Sequence, residues 1–340
     1  MTSIQFPAEW YPQSAIQITW PHKNSDWTDI LDEITQCYIE LSKEIVKRTK
    51  LLIVCADRKE VEKYFTVAEQ TQLILTEIES NDTWARDHGA ISVFIGGKPV
   101  IYDFGFNGWG LKFAANYDNQ ITGKLFEKNI FSPDVSYHNH LNFILEGGAI
   151  ESDGNGTLLT TSNCLLAPNR NEPLSKEDIE NQLIKLFGLK RILWLNHGYL
   201  AGDDTDNHID TLARFCNETT IAYIQCTDAN DEHYEELQKM EEELRMFRTL
   251  RDEPYNLIPL PMAEPIYDHD YRLPATYANF LIMNSAVLMP TYSTATDSVA
   301  KEQLQKAFPN KEIVSIDCRV IIKQHGSLHC ITMQYPEGFL

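Results

Sequence analysis

Four stretches of this 340-residue sequence concentrate side chains able to do chemistry. NDTWARDHG (81–89) carries Asp82, Trp84, Arg86 and Asp87 ahead of a glycine, and LEGGAI (145–150) sets Glu146 before two glycines. GDDTDNHIDTLARF (202–215) holds Asp203, Asp204, Asp206, His208 and Asp210, and QHGSLHCITMQYP (324–336) holds Cys330. A cysteine attacks as the thiolate, and an ordinary thiol pKa of about 8.5 leaves only a minority ionised at neutral pH, so Cys330 needs a base or a cation beside it. Read as extended chain, HID (208–210) puts His208 and Asp210 on one face and Ile209 on the other. In a closing strand over 328–335 the same alternation turns His329 away from Cys330. That makes His208 the expected partner of the nucleophile.

Other chemistries compete for the same residues. His138 with His140, His208 with Asp210, and His325 with His329 could ligate zinc in a metal-dependent hydrolase, although no HExxH pair is present. The Asp203–Asp204–Asp206 run lacks the glycine and terminal glutamate of a calcium loop. A module that merely binds a cation needs the aspartates but has no use for Cys330, His208 and Glu146.

The composition narrows the class. A net charge of −20 and a pI near 4.9 argue against nucleic acid and are compatible with a cationic small molecule. Hydrophobic residues at 43% and charged residues at 23% are ordinary globular values, so a packed domain is expected. There is no apolar run of about 18 residues, so no membrane span is expected. MTSIQFPAEW has neither a basic n-region nor an apolar h-region, and the seven cysteines form no CxxC pair. A reduced cytoplasm is the expected location.

The elements that must position these groups alternate along the chain. Trp27, Ile30, Leu31, Ile34, Tyr38, Leu41 and Ile45 recur at helical spacing over about 27–48, followed by a buried strand LLIVC (51–55) and a short charged helix near 57–66. Ser175 is a helix N-cap with Gly188 as its stop, before a strand RILWL (191–195). A charged helix over 231–252, two short strands around Asn284-Ser285 in 280–290, a helix over 297–308 and strands at 312–316 and 328–335 complete the pattern. The reading is one α/β domain over 1–340, without a linker or an identical-residue repeat.

In this order, FPAEWYPQSAIQITWP, NDTWARD, FNGWG (106–110), LEGG, NHID and HCIT resemble the agmatine deiminase and bacterial peptidylarginine deiminase branch of the guanidine-modifying (pentein) superfamily. The resemblance runs from Phe6 to about Pro336. It implies a five-bladed, pseudo-fivefold α/β propeller and a hydrolase acting on a guanidine without metal or organic cofactor. By motif it assigns catalysis to Cys330, His208 and Glu146, guanidinium binding to Asp87 and Asp210, and a pocket wall to Trp109. Agmatine is the expected substrate, with polyamine synthesis as the setting, and free or peptidyl arginine is the alternative. Arginine would need a cation for its carboxylate, for which Arg86, Arg170 and Arg214 are available, and Arg86 is the expected substrate contact. QHGSLHC stands where the family carries GGGNIHC, and His88 follows the RD pair in place of a small residue. Both departures are expected next to the reacting carbon. A homo-oligomer is compatible with this reading.

Overall fold

A computed structural model describes residues 2–340. One three-strand pattern recurs in five of its sheets: an antiparallel pair, then a parallel neighbour reached through a helix. Strands 91–95, 98–105 and 136–144 form one such set, with helix 121–127 in the crossover. Strands 150–152, 157–161 and 191–195 form the next with helix 176–187. Strands 213–217, 220–225 and 256–261 follow with helix 234–246, then 281–282, 286–291 and 312–317 with helix 296–307. The remaining set joins distant parts of the chain. Strand 333–336 pairs antiparallel with 13–19, which runs parallel to 50–55 across helix 31–46. A crossover is obligatory wherever neighbouring strands run parallel, which is why each set carries its own helix.

Local signals account for most boundaries. Ser175 caps helix 176–187 through a capping box with Asp178, and Gly188 ends it in the left-handed conformation at φ 65°. Ile34, Tyr38, Leu41 and Ile45 of helix 31–46 are fully buried, as the spacing predicts. Two expectations fail in ways that bear on the site. The closing strand begins at Met333, so Cys330 lies in the turn before it, and no strand alternation governs it. HID is not extended either: Ile209–Thr211 form one 3-10 turn that starts after His208. Among the described residues, no helix is long and apolar enough to cross a membrane.

Candidate active site

In each set, the segment just before the first antiparallel strand supplies a polar residue to one place. Asp87 precedes strand 91–95, Glu146 and Gly148 precede 150–152, His208 and Asp210 precede 213–217, Asn279 precedes 281–282, and Cys330 precedes 333–336. Loops held between paired strands bring together residues that are remote in sequence.

Cys330 is 4% exposed, and its Sγ lies 3.9 Å from Asp210 Oδ2. Burial pushes its thiol well above the ordinary range, and the Asp210 and Asp87 carboxylates push it further. Asn279, absent from the sequence-based expectation, holds the turn: its Oδ1 accepts from the His329 and Cys330 N–H groups at 2.8 and 3.2 Å, and its Nδ2 donates to Asp210 O at 3.2 Å. The available signal was positional, a polar residue two places before a strand.

His208, Asp87 and Asp210 converge on Gly148. A Cβ at Gly148 would lie 2.6 Å from His208 Nδ1, 2.8 Å from Asp87 Oδ1 and 3.2 Å from Asp210 Oδ2, so any side chain here must displace one of these groups. Gly148 N–H donates to Asp87 Oδ1 at 2.9 Å, and Trp109 Nε1–H donates to Asp87 Oδ2 at 3.0 Å. Burial lifts the Asp87 carboxyl to about 6; Asp210 and Glu146 add to the rise, and His208 opposes it. Burial also disfavours protonated His208, but the nearby Asp87, Cys164 and Glu146 outweigh it and hold the ring well above its ordinary pKa. Both ring nitrogens are buried without a hydrogen-bond partner, and Nδ1 is 3.6 Å from Asp87 Oδ1.

Glu146 lies close to His208 and Cys164, their ligand atoms all within 4.8 Å, but it makes no hydrogen bond to the imidazole. Its carboxylate instead accepts from Arg170 Nε at 2.9 and 3.2 Å, and Arg170 continues to Asp206 and Thr205 O. Its influence on His208 is therefore electrostatic. Asp210 Oδ2 meets His329 Nδ1 at 2.7 Å, and His329 Nε2 meets Glu9 Oε2 at 2.7 Å. Burial pushes the Asp210 carboxyl up, but His329 outweighs it and keeps it below the ordinary value. Sequence spacing gave no hint of the Asp210–His329–Glu9 chain.

In front of these groups opens a narrow cavity lined by Cys330, Asp87, Trp109, Trp84, His325 and Gly326, among others. His208, Asp210 and Glu146 lie fully buried behind this lining. Asp26, Asp82 and Asp204 join Asp87 in it, and among the described residues no Lys or Arg side chain lines it. Burial lifts Asp82 to about 7, with Asp26 adding to the rise, and lifts Asp204 to about 6. Trp109 holds a left-handed backbone (φ 56°, ψ 50°), strained for a bulky residue, and its ring packs edge-on against Phe106, Trp84 and Phe113. Gly108 is required beside it, because a Cβ there would lie 2.2 Å from Phe113 O. Gly326 is required where Trp84 lies flat against it, its nearest ring carbon 2.1 Å from where a Cβ would be.

The structure corrects several expectations. Arg86 is not turned toward this cavity: its Nη1 contacts Met333 Sδ at 3.5 Å and its side chain lines a separate one. Arg214 is sealed between Glu9 and Glu151 under the Phe280 ring, and Arg170 is held by Glu146 and Asp206. None of the three arginines is placed to meet a substrate carboxylate. His88 packs edge-on against Phe106, with Nε2 3.3 Å from Thr19 Oγ1, and burial pushes it down to about 3, so it is a neutral core residue away from the nucleophile. Of the two departures only the glycine-rich one reaches the cavity, through His325, whose Nδ1–H donates to Gly202 O at 2.9 Å. Two of the three zinc pairs are not assembled as pairs: His138 and His140 pack on Tyr102, and His329 bridges Asp210 and Glu9 while His325 meets Gly202 O.

Comparison with known proteins bears on this geometry. A candidate arginine deiminase from Porphyromonas gingivalis is 52% identical and superposes with a TM-score of 0.96, covering 99% of this chain and 100% of that one. A Cys-to-Ser variant of C. jejuni agmatine deiminase with substrate bound is 40% identical, TM-score 0.92, over 100% of this chain and 98% of that one. A candidate agmatine deiminase of Marinomonas sp. (strain MWYL1) is 33% identical over 355 residues, 99% of this chain and 95% of its own. Residues 5–336 match the Porphyromonas-type peptidyl-arginine deiminase family as a whole, and the chain belongs to that family.

Proposed function

We propose that the chain is an agmatine deiminase, hydrolysing agmatine to N-carbamoylputrescine and ammonia on Cys330. One observation carries the choice of substrate. The cavity in front of Cys330 presents four carboxylates and, among the described residues, no Lys or Arg. Agmatine is a cation at both ends, whereas the α-carboxylate of arginine would meet Asp26, Asp82 and Asp204 without a counter-charge. Peptidyl arginine lacks that carboxylate and is the second substrate to test.

A guanidinium is a planar cation with N–H donors in a fixed fork, and Asp87 and Asp210 accept from it on two sides. Its charge offsets the two carboxylates that raise the Cys330 pKa, so binding favours the thiolate, the thiol proton passing to solvent. The sulfur attacks the central carbon, forming a C–S bond and a tetrahedral adduct. His208, protonated beside Asp87, gives its proton to the departing nitrogen, and ammonia leaves a thiouronium on Cys330. Neutral His208 then takes a proton from water as the oxygen attacks the same carbon. The C–S bond breaks, the remaining hydroxyl proton of the adduct passes to the departing sulfur to restore the thiol, and the ureido product leaves. Trp109 walls the pocket and orients Asp87, while Glu146 favours the charged form of His208.

The reading extends to one catalytic domain over 1–340 in which the five strand sets form a five-bladed propeller around these loops. All seven cysteines are free, as in a reducing compartment, which supports a cytoplasmic location. The deciding experiment incubates the protein with agmatine, arginine and a blocked arginyl peptide and quantifies the ureido product from each. Agmatine should exceed both by at least tenfold in kcat/KM; preference for either arginine compound would overturn the assignment.

A further inference from the structure

Six of the seven cysteine thiols have an oxygen acceptor at 3.3–3.9 Å, five of them a main-chain carbonyl. Among the described residues Cys164 is the exception. It sits in the short helix 162–165 and is fully buried. One side belongs to an apolar cluster with Leu158, Leu165 and Leu183. The other turns to the site: its Sγ, a ring nitrogen of His208 and a carboxylate oxygen of Glu146 all lie within 4.8 Å of one another. Thr161 fixes this approach, its Oγ1 accepting from the Cys164 N–H at 3.3 Å and donating to O of Asn207, the residue before His208, at 2.8 Å. The carboxylates around the ring are already committed, Glu146 to Arg170 and Asp87 to Gly148 and Trp109. A histidine that gives and retakes a proton on one nitrogen must keep its hydrogen on the other, and that buried N–H needs an acceptor. Burial pushes the Cys164 thiol up, so it keeps its own hydrogen, and a thiol sulfur is a weak acceptor that orients an N–H without removing it.

We infer that Cys164 is a positioning residue for His208, an inference that rests on the deiminase reading above. Its sulfur accepts from the ring N–H that takes no part in proton transfer, and its S–H is directed to Glu146, which Arg170 holds from the other side. This chain of imidazole, thiol, carboxylate and guanidinium keeps the ring in one tautomer and one orientation through both halves of the reaction. Cys164 itself exchanges no proton with the substrate and forms no bond to it.

The test compares Cys164→Ala and Cys164→Ser in the full-length protein. The two leave nearly the same space, and only serine keeps an acceptor. Cys164→Ala should lower kcat for agmatine about tenfold or more with KM within about twofold, because Asp87 and Asp210 are untouched. Cys164→Ser should stay within about threefold of wild type in kcat, and the two variants should melt within a few degrees of each other. Should the alanine variant fail to fold, Cys164→Val, which fills the space and offers no acceptor, takes its place. Histidine-selective NMR of the ring nitrogens, with the His208 signal assigned through His208→Gln, supplies a second readout. Above the pH at which the ring loses its proton, it should show a single tautomer in wild type and in Cys164→Ser, and a mixture in Cys164→Ala. That readout needs no turnover, so a chain inactive on every guanidine would sink the deiminase assignment while the tautomer still decides the role of Cys164. Equal kcat in the alanine and serine variants, an alanine variant within twofold of wild type, or one tautomer in all three proteins would leave Cys164 a packing residue and overturn the inference.

Discussion

Replacing Gly148 with alanine should separate chemistry from stability. Gly148 has no left-handed backbone requirement, so alanine is admissible for the main chain. The methyl group, however, would arrive 2.6 Å from His208 Nδ1 and 2.8 Å from Asp87 Oδ1, where an ordinary contact is about 3.5 Å. Relief requires His208 or Asp87 to move by nearly 1 Å. A displacement of that size in a catalytic group costs about 100-fold in rate, or about 2.7 kcal/mol of transition-state stabilisation. Overpacking should destabilise the fold by only about 1–3 kcal/mol. Gly148→Ala should therefore retain a cooperative melt and native circular dichroism while kcat/KM for agmatine falls about 100-fold. Gly147→Ala is the contrast, since its Cβ would lie 2.2 Å from Arg86 O, a backbone atom, and it should lose stability along with activity. A Gly148→Ala enzyme with more than about a third of wild-type activity would refute the placement of His208 and Asp87 around the reacting carbon.

Four further outcomes follow from the same geometry. Cys330→Ser should abolish turnover with an unchanged melt, and retention of more than a few per cent of activity would exclude the covalent route. KM for agmatine should rise as pH falls through about 7 to 6, because Asp82 and Asp87 are pushed up to about 7 and 6 and bind the cation only when ionised. A folded-state pKa above the unfolded value means the folded form holds its proton more tightly, so Asp87 makes the empty protein more stable as pH drops from about 6 to 4. A KM flat between pH 7 and 6 would contradict the first, a Tm that does not rise from pH 6 to 4 the second, and Asp87→Asn should reduce both dependences. His208→Ala, given a guanidine analogue with a better leaving group than ammonia, should accumulate an adduct on Cys330 that mass spectrometry maps to HGSLHCITMQ. Modification of Cys164, which lies beside His208, would move the nucleophile. Gly123→Ala, in helix 121–127 with nearest neighbours at 3.7 Å, should stabilise by about 0.5–1 kcal/mol in denaturant titration; a loss would show the site is tighter than it is drawn.

Much of this was legible in the sequence because polar residues flanked by apolar strand segments mark loops on a rigid scaffold. Asp87, Glu146, His208, Asp210 and Cys330 are all of that kind, and the structure brings them together. The helix over 176–187 was readable from Ser175 and Gly188 because caps act within a few residues. The misreadings share a cause. A three-residue 3-10 turn and a short extended segment leave the same sequence trace, so HID was assigned the wrong conformation. The direction of Arg86, the Glu146–Arg170 pair and the His329 bridge depend on partners 24 to 320 positions away, which spacing does not encode. Asn279 was missed because a lone asparagine before a strand is unremarkable until the sets are superimposed.

The pairing of strand 333–336 with strand 13–19 makes the working enzyme a late product of its own synthesis. Tyr335 Oη donates to Gln17 Oε1 across 318 positions, and this pairing fixes the strand that follows the turn carrying Cys330. At roughly 5–20 residues per second, a ribosome needs on the order of 15–60 s to deliver the second partner after the first. The fourth strand set closes only with strand 312–317, so when four sets are complete the nucleophile is the last part of the site still to be made. Contacts of such long range also slow the final folding step. A nascent or partly folded chain can therefore hold Asp87, Glu146, His208 and Asp210 and still leave cellular guanidines untouched.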